Sequence, residues 1–291
     1  MAGPLTDEQV QKYHRDGFVF MEDALTSDQL AALREDFAEW RDDSRQHDGP
    51  FGATIDGRER FDVEPGHTAP KPALRRVASP TEISLAYLDA MRNAPGVDAV
   101  AQVVGPNVQF NNSKVNSKQP GAATQVMFHQ DFAFQPHSNT DLVAILYFLD
   151  DVTLDNGPLR VVPGSHKGEL YTHWEDDTFS GIVEPHVVEM AEAASVPCIG
   201  PAGSACLMHN LLLHGSAPNA SDQPRTLFIA EYRSDDAIPL ATSHIPSVHE
   251  GELVRGTASE MVRTSDYAMR IPPVPKSASF FNQQAKTDKG V

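Results

Sequence analysis

The chain has 291 residues, 40% of them apolar, and 23 basic against 40 acidic side chains give a formal net charge of −17. That length suits one decorated all-β or mixed domain with a sizeable core, and so acidic a composition argues against nucleic acid and anionic membrane, whose phosphates need clustered cations. Two cysteines, Cys198 and Cys206, make no disulfide framework and point to a reducing, cytoplasmic setting.

The N-terminus lacks the basic and apolar regions of a signal peptide, and no apolar run approaches the ~20 residues of a membrane span. The first third reads as helical. Thr6 and Gln9 form a capping box, and Gly17 ends the helix that follows. Phe18-Val19-Phe20 reads as a short strand. Thr26 with Gln29 opens a second helix, whose apolar face is Leu30, Leu33, Phe37 and Trp40. Residues 45–70, rich in Gly, Asp, His and Pro, read as a long functional loop. Ser79 as cap, Pro80 and Glu82 predict another helix start, with helix to about Asn93 and a further one to Gly105.

From residue 107 the texture changes. Residues 108–118, 124–134, 142–149, 159–162, 204–213 and 225–232 read as strands, punctuated by Gly, Pro, Asn and Asp. This predicts a mainly β fold with flanking helices, of sandwich or barrel type. The chain is read as a single domain over residues 1–291. It has a helical part to about 105, a strand core over about 107–235 and a C-terminal extension over 236–291, with Lys286 to Lys289 in a loose tail.

The chemistry centres on His129-Gln130-Asp131. Residues two apart on a strand point to the same side, and Phe128, Phe132 and Phe134 make an apolar surrounding in which a charge is costly unless paired or metal-bound. A second histidine from a distant strand, His214, closes the set. Two imidazoles and one carboxylate on one face, with the other positions open, are the ligands of non-haem iron(II) oxygenases. Asn156-Gly157-Pro158-Leu159 and Pro163-Gly164-Ser165-His166 read as tight turns, and His214-Gly215-Ser216 is followed by Arg225 on the next strand. An arginine there suits a bidentate grip on a carboxylate. His209 is a rival for the distal ligand, but on a regular strand it faces the other way from His214.

In order and spacing these pieces resemble the phytanoyl-CoA dioxygenase family. The resemblance covers most of residues 107–233, and the opening Asp16-Gly17-Phe18-Val19 is also similar. It implies a double-stranded β-helix, a jelly-roll or cupin-like fold with N-terminal helices. The implied activity is that of an iron(II)- and 2-oxoglutarate-dependent hydroxylase, with O2 as the second cosubstrate and ascorbate as a stimulant. It assigns His129, Asp131 and His214 to iron, and Arg225 to the distal carboxylate of 2-oxoglutarate with Ser216 assisting. Asn116, in a segment similar to the ectoine hydroxylase branch, and Tyr147 are further cosubstrate contacts.

Phe128 replaces a tryptophan common in relatives, and the aromatic and acidic residues that mark ectoine hydroxylases after the aspartate are missing. Related halogenases lose the carboxylate, so Asp131 favours hydroxylation. Asn112, Lys114, Gln130, Phe134 and Arg233 are expected to line the substrate pocket. Lys114 and Arg233 would then suit a small anionic substrate, a carboxylate or phosphonate. Residues 45–70 and 165–185, with Tyr171 and Trp174, are candidate lids. The alternatives are a catalytically silent jelly-roll binding protein and an acyl-CoA-type hydroxylase, and the oligomeric state stays open between monomer and homodimer.

Overall fold

Both N-terminal helices start where their capping boxes put them. A computed structural model describes residues 3–274 and Gln284, so the expected tail at Lys286 to Lys289 lies outside the described residues. In α1 (Asp7–Asp16), the Thr6 hydroxyl accepts from the Gln9 N–H, and the Gln9 side chain accepts from the Thr6 N–H. Gly17, at φ 82°, ends the helix in the left-handed region that favours glycine. The chain turns there into β1 (Phe18–Met21) and then α2 (Ser27–Asp43), capped by Thr26 and Gln29 in the same way.

Two expectations for the next stretch are corrected. Residues 45–70 are not a loop: β2 (Phe51–Ala53) and β3 (Glu59–Val63) pair as a hairpin, and β4 (Leu74–Ala78) extends it. These strands are three to five residues long and carry charged members, so their period is too short to show in the sequence. The nominally helical first third therefore contributes four strands. Pro80–Glu82 is one turn of 3-10 helix, and Ser79 sits at φ 49° without a cap hydrogen bond. The cap of α3 (Leu85–Asn93) is Ser84, whose hydroxyl accepts from the Tyr87 N–H at 3.0 Å. Then comes α4 (Pro95–Val104).

The rest is mostly strand: β5 (Val108–Lys118), β6 (Val126–His129), β7 (Leu142–Phe148), β8 (Leu159–Val161), β9 (Trp174–Glu175) and β10 (Thr178–Phe179). A helix with no counterpart among the expected elements follows, α5 (Pro185–Ala194), and then β11 (Val196–Cys198), β12 (Ala205–His209), β13 (His214–Ser216), β14 (Arg225–Ser234) and β15 (Leu253–Arg255). A large antiparallel sheet runs β1-β12-β7-β14-β5-β4-β3-β2, with β15 also on β5. A smaller one runs β11-β8-β13-β6. This is the double-stranded β-helix that the resemblance implied.

Alternation along the strands sorts the core. Phe228, Ala230 and Tyr232 on β14, and Val143, Ile145 and Tyr147 on β7, face the helices and pack with Leu33, Tyr87 and Val97. The Tyr87 and Phe228 rings meet edge to face at 4.9 Å. Leu227 and Ile229, with Ala144, Leu146 and Phe148, face the smaller sheet and meet Leu159 and Val161. A fully buried ring such as Phe228 stabilises by ~1.5–3 kcal/mol, so helices and sheet lock together through the large sheet's outer face. The inner face is left to shape a cavity. No helix among the described residues is long and apolar enough to cross a membrane.

Candidate metal centre and cosubstrate pocket

His129 ends β6 and His214 opens β13; the two strands pair, placing these residues opposite each other with ring centroids 4.1 Å apart. Asp131 is not on the strand, as its spacing from His129 suggested. It opens a 3-10 turn, Asp131–Ala133, held by the Phe132 N–H on the Asn210 carbonyl at 3.0 Å. Its Oδ1 lies 3.3 Å from His129 Nε2 and 3.6 Å from His214 Nε2. All three residues are buried, with ligand atoms within 4.8 Å of one another.

Hydrogen bonding sets the tautomers. His129 Nδ1 meets the Met127 carbonyl at 2.8 Å, and His214 Nδ1 meets the Leu212 carbonyl at 2.9 Å. A carbonyl only accepts, so each Nδ1 carries a proton, and each Nε2 is the ring atom turned toward Asp131 that can meet a metal. Burial, helped by nearby His129, pushes His214 down to about 4 and keeps it neutral. Burial works against the Asp131 carboxylate, but His214, His129 and Lys114 outweigh it and hold the group below the usual carboxylate range. Two imidazoles and one carboxylate on one face fit a divalent ion with open positions.

His209 is excluded, though not by the parity expected of one strand. The chain turns between residues 209 and 214, and β12 belongs to the other sheet. His209 Nδ1 accepts from the Leu211 N–H, and its ring lies 5.2 Å from that of His166.

From the triad a cavity of about 70 Å3 runs between the sheets to Arg225. Arg225 stands beside Lys118 in the β14–β5 register. Its Nε and Nη2 donate to the Gly157 carbonyl at 3.0 and 2.8 Å. Gly157 adopts φ 78°, and a Cβ there would lie 2.7 Å from the Ala217 carbonyl oxygen, so only glycine turns that carbonyl toward the arginine. Asn156 builds the turn by accepting from the Thr153 N–H and donating to the Asp151 carbonyl. Lys118 Nζ donates to Ser216 Oγ at 2.8 Å and to the carbonyls of Ser216 and Ala217. Burial, then the adjacent Arg225, pushes the lysine down to about 6 against the pull of Glu64. Asn116 lines the wall between these cations and the metal ligands, with its buried Oδ1 unpartnered.

Other expected residues divide. Phe134 lines the cavity, its ring edge-on to His129 at 5.7 Å. Lys114 lines it too, 3.6 Å from Glu231. Asn112 stands behind, donating to Glu231 Oε2 at 3.0 Å. Gln130 does not reach the cavity: its amide donates to the Glu169 and Leu211 carbonyls and accepts from the Tyr171 N–H, tying three loops together. Arg233 shares a strand face with Arg225 but bonds the Ala237 carbonyl beyond the cavity. Tyr147 is on the wrong face altogether, stacked on Phe228 at 5.6 Å in the helix-side core. Its hydroxyl is buried and unpartnered. Tyr147→Phe is therefore expected to leave the KM for 2-oxoglutarate unchanged and to alter stability by less than about 1 kcal/mol in a denaturant titration. A raised KM would return the residue to the site.

Sequence reasoning missed Lys118, Arg76 and His244, all cavity-lining. The two-residue period that selects Asn112, Lys114 and Asn116 continues to Lys118, so that signal was present. Arg76 and His244 come from segments whose placement only the fold provides.

The family model described as "Phytanoyl-CoA dioxygenase (PhyH)" matches residues 13–227. A probable alpha-ketoglutarate-dependent hypophosphite dioxygenase of Stutzerimonas stutzeri is 30% identical, over 97% of this chain and 98% of its own. An L-proline trans-4-hydroxylase of Streptomyces griseoviridis is 28% identical, over 80% and 87%. The crystal structure of EctD from S. alaskensis with bound Fe superposes with a TM-score of 0.67 at 20% identity, over 86% of this chain and 88% of that one, and so shares the fold. Because the family match spans both histidines, the aspartate and Arg225 in one continuous stretch, the chain belongs to the phytanoyl-CoA dioxygenase family and is a 2-oxoglutarate-dependent dioxygenase.

Proposed function

We propose that the protein hydroxylates a small anionic molecule, with iron(II) held by His129, Asp131 and His214 and 2-oxoglutarate anchored by Arg225. One observation carries this reading: a buried arginine and lysine, Arg225 and Lys118, share a cavity with the triad, and an arriving carboxylate favours the charged lysine. One end of a dicarboxylate meets the cations while the other reaches the metal. Bound iron(II) and 2-oxoglutarate supply dioxygen activation, consuming one substrate X–H, one O2 and one 2-oxoglutarate for one X–OH, one succinate and one carbon dioxide. The protein's own part is positional. Met127 and Leu212 fix the imidazoles, Gly157 aims Arg225, and Ser216 aims Lys118. Asn116 contributes a polar contact along the cosubstrate, and the apolar wall of Leu146, Met208, Leu227 and Ile229 limits water.

The small-molecule class draws support from the relatives named for hypophosphite and L-proline. Two cysteines, Cys198 and Cys206, make no disulfide framework, which supports a reducing, cytoplasmic compartment. The test is succinate release from 2-oxoglutarate with iron(II) and ascorbate, followed by a screen for a one-oxygen mass gain over hypophosphite, phosphite, short phosphonates, carboxylates and amino acids. Absence of both 2-oxoglutarate binding and succinate would leave the silent binding protein.

Lys118 gives this reading a pH dependence. Its ordinary value of 10.5 is lowered to about 6 in the buried site, so above pH 6 the ligand-free lysine is largely neutral. An arriving carboxylate favours the charged form, so binding takes up a proton and affinity falls as pH rises from 6 toward 9. Calorimetry of 2-oxoglutarate binding in two buffers of different ionisation enthalpy measures that proton; a heat independent of buffer contradicts it.

A further inference from the structure

A second positive cluster lines the cavity, and neither the metal ligands nor the Arg225 end uses it. Arg76 projects from β4 beside Asn116 and lines the cavity while only 3% exposed. Its Nε is fully buried without a hydrogen-bond partner, and it has no ion pair among the described residues. Nearby arginines are matched: Arg75 takes Asp62 at 2.7 Å and Arg60 takes Glu82 at 2.6 Å. A guanidinium does not shed its proton in a protein, so Arg76 keeps its charge where water is scarce. A buried charge left unpaired is costly, and one aimed into a cavity marks the place of a counter-ion.

His244, from the segment after β14, brings a second orphan. Its Nδ1 is buried without a partner, and its ring lies 5.5 Å from Phe134. Arg58 holds that segment by donating to the His244 carbonyl at 3.1 Å. Lys114, next to Asn116 on the same strand face, adds a cation whose charge Glu231 only partly meets at 3.6 Å. Arg76 and Arg225 lie on strands either side of β5, about 10 Å apart across the sheet, so they address different parts of the cavity. Asp62, opposite Arg76 in the strand register, and Glu231 attract its charge from a distance, but Asp62 is engaged by Arg75, and neither carboxylate makes a hydrogen bond or ion pair with Arg76 among the described residues.

We propose that Arg76 and His244, with Lys114 beside them, bind the anionic group of the substrate, and that this substrate is a compact oxyanion. It rests on the dioxygenase reading above and adds which residues select the molecule. Because these residues line the same cavity as His129, Asp131 and His214, an anion held by them brings the bond on its charge-bearing atom, or next to it, to the triad, as the P–H bonds of hypophosphite require.

The test is direct binding of hypophosphite, phosphite and methylphosphonate to the metal-free protein by calorimetry, with L-proline as a zwitterionic comparison. These anions separate an inorganic P–H substrate from an organic phosphonate with the same headgroup. Wild type is expected to bind at least one anion in preference to L-proline. Arg76→Met is expected to weaken that anion about thirtyfold or more, and by a much larger factor than it weakens 2-oxoglutarate in the metal-loaded protein. Arg76→Lys should recover part of the loss, and His244→Gln should weaken the anion independently. Thermal melting separates a structural role. An arginine held for folding lowers the midpoint when removed, whereas an unpaired functional one raises it by a few degrees in Arg76→Met.

A wild type that binds none of the anions overturns the proposal. So does an Arg76→Met whose loss falls on 2-oxoglutarate, or one that melts lower and still binds the anion. Because the metal-free measurement needs no turnover, a protein that binds the anion through Arg76 but never consumes 2-oxoglutarate would sink the dioxygenase reading while keeping this one.

Discussion

Asp131→Ala is expected to bring 2-oxoglutarate turnover to background. Losing even an outer partner of a metal ligand typically costs 10–100-fold, so loss of a ligand itself is expected to cost on the order of 10³-fold or more. The carboxylate is the only anionic donor of the triad, and without it two neutral imidazoles hold a divalent ion weakly. The substitution also removes a buried charge, so the fold is expected to survive with an unchanged circular dichroism spectrum. Iron content after desalting and succinate formation are the two measurements. A variant that keeps iron near one equivalent and still releases succinate would overturn the metal assignment.

Arg225→Ala is expected to act on KM for 2-oxoglutarate rather than on the chemical step. The guanidinium is buried and already oriented by the Gly157 carbonyl, so little ordering cost remains when a carboxylate arrives. Breaking a buried ion pair by removing one partner costs about 3–5 kcal/mol, which corresponds to roughly 10²-fold to a few thousandfold in affinity. Arg225→Lys is expected to recover only part, because an ammonium lacks the planar fork and leaves the Gly157 carbonyl unmet. Saturation curves for 2-oxoglutarate at fixed iron separate the outcomes. A fall in kcat with KM unchanged would place the cosubstrate carboxylate elsewhere.

Much of the fold was legible where the signal is local. The Thr6–Gln9 and Thr26–Gln29 boxes and Gly17 each act through atoms a few residues apart, and each lies where its motif puts it. β5 has the expected bounds, Val108–Lys118. Short polar strands escaped, as in β2 and β3. Ser79 looked like a cap because its neighbours fit the motif, yet its left-handed backbone points the hydroxyl to the Pro246 carbonyl instead. Tyr147 escaped for another reason. β7 is buried along its whole length, so both of its faces are apolar and no alternation says which one meets the cavity.

The amino-acid sequence by itself determined the candidate donor set, the tight turn at Asn156 to Leu159 and the family, because these reside in residue identity and short spacing. Only the tertiary structure decided which donors converge. It paired His214 with His129 across two short strands, sent His209 to the other sheet and turned Tyr147 away. It also carried Arg76 and His244, far apart in the sequence, to one wall. Strand register and sheet packing are set by burial summed over the whole core, and no segment of the sequence carries that sum alone.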